Sequence, residues 1–107
     1  MNKIEETSKT ESKHGKILQM AFEIVNGARQ NSYGKPEDSF QRIADKWNDY
    51  LKLENNNSRI TPYEVAYMMA LMKLARIEGG NYVQDSFIDA CGYLAIASDM
   101  KRAMNKE

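Results

Sequence analysis

Little cysteine, little proline and no net charge set the first limits on this chain. Its 107 residues hold one cysteine and two prolines, and 15 Lys+Arg balance 15 Asp+Glu. A single thiol, Cys91, excludes an intrachain disulfide. Cysteine is among the most buried residue types, so Cys91 is expected in the core as a small hydrophobe with no catalytic part. The one histidine, His14, stands just before the first apolar stretch and is expected to be solvated, because a metal site needs several such partners. A balanced charge gives no field to draw in a nucleic-acid polymer or an anionic membrane. Any acidic ligand must therefore be small and caught locally. No run is long enough to span a bilayer, and the polar start MNKIEETSKTESKHGK lacks the apolar stretch of a signal peptide. The expected location is the cytoplasm.

What is there reads as helix throughout. Residues 1–12 have almost nothing to bury and are expected to form a disordered tail, leaving 13–107 as a single helical domain. From Lys16 onward, Ile17, Leu18, Ala21, Ile24, Val25 and Ala28 mark one helix face, which frays through Asn26-Gly27 and Asn31–Gly34. Pro36 opens a second helix with Glu37 and Asp38 at its positive end. Phe40, Ile43, Ala44, Trp47 and Leu51 form its docking stripe, Tyr50 extends one edge, and Arg42 projects to solvent. After the polar connection Glu54–Ser58, Thr61 and Glu64 make a capping box with Pro62 at the first position of a third helix.

The third helix leaves almost no polar face, from Val65 through Met68, Met69, Leu71 and Leu74 to Ile77, so it is predicted to be surrounded by other elements. Such a helix in a chain this short also predicts subunits packing together, as a homodimer or larger. Gly79-Gly80 is expected to supply a left-handed cap, and Asp85 or Ser86 to cap a fourth helix antiparallel to the third. Four helices and no strand give an all-α, four-helix bundle-like fold.

Charges within this hairpin point to a site. At ~100° per residue Lys73 and Arg76 project ~60° apart, while Glu64 lies on the far side as a capping residue. On the fourth helix Asp85, Asp89 and Tyr93 stack at successive i, i+4 positions, opposite Phe87, Cys91 and Leu94. Polar strips bounded by apolar residues are expected to face inward, where a charge must find a partner.

Two blocks carry a resemblance. The first is Arg29-Gln30-Asn31-Ser32-Tyr33-Gly34-Lys35-Pro36 with Phe40, Ile43 and Trp47. The second is Ile60-Thr61-Pro62, Met69, Leu71, Lys73, Leu74, Ala75 and Arg76, followed by Asp85-Ser86, Asp89 and Gly92-Tyr93. Together they resemble a group of small uncharacterised helical proteins found mostly in phages and prophages. The chain is also similar to the nucleotide-modification-associated domain and, distantly, to MazG-like all-α NTP pyrophosphohydrolases. The resemblance implies a phage-encoded protein that binds and sequesters a nucleotide or nucleotide-derived signal, as an inhibitor of host nucleotide-signalling defence would, in the host cytoplasm. The alternatives are a Mg²⁺-dependent nucleotide pyrophosphohydrolase and an interaction module whose hydrophobic face engages a host protein. MazG-like enzymes hold Mg²⁺ with acidic pairs on two helices. Here the first of those helices offers Lys73 and Arg76, so only Asp85 and Asp89 remain as an alternative Mg²⁺ pair.

Two readings of these residues stand side by side. Lys73, Arg76, Asp85 and Asp89 form either an internal ion-pair network or a nucleotide site. In the site, Lys73 and Arg76 clamp phosphate while an aspartate orients a ribose hydroxyl or base N–H. Arg29 to Pro36 is either a plain turn or a binding loop, in which Arg29 and Lys35 bring charge, Tyr33 a stacking ring and Gly34 a close backbone approach. The candidate ligand-binding set is thus Arg29, Tyr33, Lys35, Lys73, Arg76, Asp85, Asp89 and Tyr93, with no cofactor unless Mg²⁺.

Overall fold

The structure, a computed structural model, describes residues 12–27, 34–53 and 58–105. Four helices account for them: α1 (Lys13–Asn26), α2 (Pro36–Leu51), α3 (Pro62–Gly79) and α4 (Gln84–Met104), with no strand among the described residues. None of these helices is long and apolar enough to cross a membrane. The expected tail, save Ser12, and the residues Arg29, Tyr33 and Glu54 lie outside the described residues.

Ser12 is the N-cap of α1, its hydroxyl accepting the Gly15 N–H at 3.1 Å. The helix therefore starts three residues before the apolar periodicity does, and His14 lies inside its first turn. Periodicity marks where packing begins; the cap marks where backbone bonding begins. In α2, Pro36, Glu37 and Asp38 occupy the first turn as expected, and the helix stops at Lys52 in the left-handed region with φ 61°. Arg42 is exposed, Tyr50 and Leu51 also turn to solvent, and Trp47 is half-buried.

A residue without any apolar signal ties α2 to α3. Asn48, 1% exposed, donates from Nδ2 to the Ile60 carbonyl at 2.9 Å and accepts the Ile60 N–H at 2.8 Å. Both polar groups of Ile60 are satisfied at once, so the chain returns toward Thr61 in one defined path. There the capping box forms as read: Glu64 N–H donates to Thr61 Oγ1, and Thr61 N–H donates to the Glu64 carboxylate at 2.8 Å.

Both helix ends in the hairpin turn depart from expectation. Gly80 is extended, φ −148° and ψ −169°, rather than left-handed. The N-cap of α4 is Val83 with no side-chain cap bond, so neither Asp85 nor Ser86 caps. A hydrophobic staple fixes the entry of the chain instead, with the Tyr82 ring 5.8 Å from that of Phe87 on either side of the N-cap.

α3 and α4 share the main interface, α1 docks on α4, and α2 on α3. Ala66, Ala97 and Met100 centre a cluster walled by Phe40, Tyr63 and Ile96, and the Lys101 ammonium lies 4.8 Å above the Tyr63 ring. Within this chain α3 is not enclosed: Tyr67, Leu71 and Leu74 remain exposed. Cys91 is half-buried rather than in the core. Four helices of about four to six turns do not cover every side of α3 here.

Candidate functional site

Lys73 and Asp89 meet across the hairpin. Their charged ends stand 2.9 Å apart with side chains 13% and 12% exposed, a close, largely desolvated pair. The other two members of the expected network do not join it. Arg76 is exposed in the last turn of α3, where its charge suits the negative helix end, and Asp85 is exposed in the first turn of α4, where an acid suits the positive end. Among the described residues these two form no ion pair with each other. A ~60° step in helical phase is enough to put Lys73 in the interface and Arg76 in water.

Asp89 also borders a cleft. Three helices converge on a half-open space of about 390 Å³, within the usual range for small-molecule sites. From α1 come Ile24 and Val25, from α2 Ser39, Phe40 and Ile43, and from α4 Ile88, Asp89, Gly92, Tyr93 and Ile96. Gly92 permits this geometry: a Cβ there would stand 3.3 Å from Val25 Cγ1, so a larger residue would press α1 away from α4. Phe40 and Tyr93 face each other with ring centroids 6.3 Å apart and planes tilted by 36°.

Of the candidate residues, the cleft gathers Asp89 and Tyr93 but not Lys73, Arg76 or Asp85. Lys35 is exposed at the start of α2, between Gly34 and Pro36, both of which line the rim. Gly34 has φ +78°, a left-handed conformation that suits glycine in the turn, with open space where a Cβ would be. Arg29 and Tyr33 lie outside the described residues. The walls from Ile24, Val25, Ser39, Phe40 and Ile43 were not anticipated as a site. Most of them carry the apolar spacing of a docking stripe, and that spacing does not distinguish a filled core from a lined cleft.

For a divalent cation, α4 offers Asp85 and Asp89 one turn apart. Lys73 already occupies one approach to Asp89, and among the described residues no three His, Cys, Asp or Glu side chains converge as a metal set. Mg²⁺ takes an octahedral array of oxygens, so beside these two side chains water and substrate phosphates would have to supply most of them.

Residues 16–101 match the model of a family described as Domain of unknown function (DUF6378). The chain belongs to the DUF6378 family. That span holds all eight candidate residues and nearly all of the four helices. The chain is also similar to phage proteins. The chain is 38% identical to the Gene 55 protein of Mycobacterium phage L5 over 85 residues, 79% of this chain and 52% of that one. It is 40% identical to the Gene 55 protein of Mycobacterium phage D29 over 77 residues, 72% and 48% of the two chains. The chain thus spans about half the length of these relatives. No solved structure matches it.

Proposed function

We propose that this protein is phage-encoded and that it captures a small nucleotide or nucleotide-derived molecule between α1, α2 and α4, holding it without turnover. The observation that carries this reading is the composition of the cleft: apolar walls, a tilted pair of aromatic rings, and a carboxylate fixed at one side by Lys73. A nucleobase has a flat apolar face and an edge of N–H donors. The rings of Phe40 and Tyr93 suit the face, and Asp89 accepts from the edge or from a ribose hydroxyl. Lys35, exposed between the rim residues Gly34 and Pro36, suits a phosphate leaving the cleft. Retention without turnover agrees with an Asp89 already committed to Lys73. The phage source of the relatives supports a role in withholding a host nucleotide signal.

Thermal denaturation of the purified chain against nucleosides and mono-, di-, tri- and cyclic nucleotides tests the reading. A ligand held only by the native state adds about 2.7 kcal/mol at a hundredfold excess over its Kd. Tyr93→Ala and Phe40→Ala should abolish that gain, and no stabilisation by any member of the panel would end the reading. A MazG-like Mg²⁺-dependent pyrophosphohydrolase is the second reading, favoured by the i, i+4 spacing of Asp85 and Asp89 on α4. It requires release of pyrophosphate from a nucleoside triphosphate that stops on adding EDTA and in Asp89→Asn.

A further inference from the structure

The α3–α4 hairpin has a second broad face, turned away from the cleft. Taking Tyr67 as zero, Leu71 and Leu74 fall within about 40° of it on α3, and Phe87, Cys91 and Leu94 fall within a ~60° arc of α4. The Lys73–Asp89 and Tyr63–Lys101 contacts set the antiparallel register, which puts Leu74 level with Phe87 and Cys91, and Tyr67 near Leu94. Asp89 and Tyr93 point to the cleft side of α4, and Val65, buried, lies on the opposite side of α3 from Leu71 and Leu74. The two apolar stripes therefore merge into one surface. Tyr67, Leu71, Leu74, Phe87 and Leu94 are 44%, 46%, 42%, 39% and 44% exposed.

We infer that this face packs against the same face of a second copy, making a two-fold dimer whose central layer is four helices. Two-fifths exposure of five side chains of roughly 200 Å² each leaves on the order of 400 Å² of apolar surface, and Met68 and Tyr82 at its edges bring the total near 600 Å². A stable interface takes about 800 Å² per partner, of which a polar rim supplies the remainder. The single chain also has a deficit that a second copy repairs. Of the nine buried apolar residues among those described, six are alanines, namely Ala21, Ala44, Ala66, Ala70, Ala90 and Ala97, while larger side chains stay outside. Residues 1–11, MNKIEETSKTE, hold two large apolar side chains, Met1 and Ile4. The rival patch on α1, Leu18 and Phe22, is a single pair on one helix. This dimer is independent of what occupies the cleft.

Sedimentation of the full chain at micromolar concentration tests it. Wild type should sediment at twice the 12.3 kDa chain mass. Leu71→Glu and Leu94→Lys should each sediment as monomers with unchanged helical circular dichroism, since both side chains are already exposed in one chain. Phe22→Glu should stay dimeric. Should a charge at either site unfold the chain, Leu71→Ala and Leu94→Ala replace it, each weakening dimerisation about tenfold. A monomeric wild type, a dimer that persists through all the hairpin-face variants, or one lost in Phe22→Glu alone would overturn the inference.

Discussion

Lys73→Met removes the ammonium 2.9 Å from Asp89 and leaves a carboxylate that is 12% exposed beside apolar neighbours. Breaking a buried pair from one side costs about 3–5 kcal/mol, because the remaining charge stays desolvated. Some solvent reaches this pair, and Asp89 is not held by Lys73 alone, so a loss of about 2–3 kcal/mol is expected. Asp89→Leu leaves an ammonium on a flexible stem that can reach water, for a smaller loss of about 1–2 kcal/mol. Combining the two puts apolar groups on both sides of the pair and should lose less than the two single losses summed, a coupling of at least about 1.5 kcal/mol. Urea unfolding followed by circular dichroism measures all four species. In a chain of this size each kcal/mol moves Tm by roughly 4–8 °C, so Lys73→Met should melt roughly 10–20 °C early. If the single losses simply add in the double variant, the two charges are screened by water and their burial has no energetic meaning.

Two further perturbations follow from the packing. Asn48→Ala strips both hydrogen bonds from the Ile60 backbone and should cost about 2–4 kcal/mol in urea unfolding; a loss below about 1 kcal/mol would mean that water reaches Ile60. Gly92→Val drives a branched side chain against Val25 at the α1–α4 crossing and should cost about 1–3 kcal/mol. The same variant should lose any nucleotide-induced rise in Tm, and unaltered ligand stabilisation would place the ligand away from this crossing.

The helices were legible where the signal is local. Pro36 and Pro62 open α2 and α3 as their fixed φ dictates, and Thr61 with Glu64 closes its reciprocal bonds within four residues. Legibility failed where a distant group takes over a local task. The side-chain cap sought at Asp85 or Ser86 does not form and Tyr82 on Phe87 sets the entry of α4, while Asn48 looks like any polar helix residue until Ile60 stands opposite it. Site residues divide in the same way. Asp89 and Tyr93 reach a cleft, while Arg76 and Asp85, equally promising by spacing, stand where no neighbouring helix covers them.

By itself the amino-acid pattern determined four helices, their phase and the antiparallel hairpin, since spacing, prolines and a short turn act over a few residues. Only the tertiary arrangement decided that Lys73 meets Asp89, that α1 and α2 leave a cleft instead of filling it, and that one face of α3 stays bare. Helical phase gives the direction of a side chain. How far the neighbouring helix extends in that direction depends on crossing geometry, which no single helix encodes.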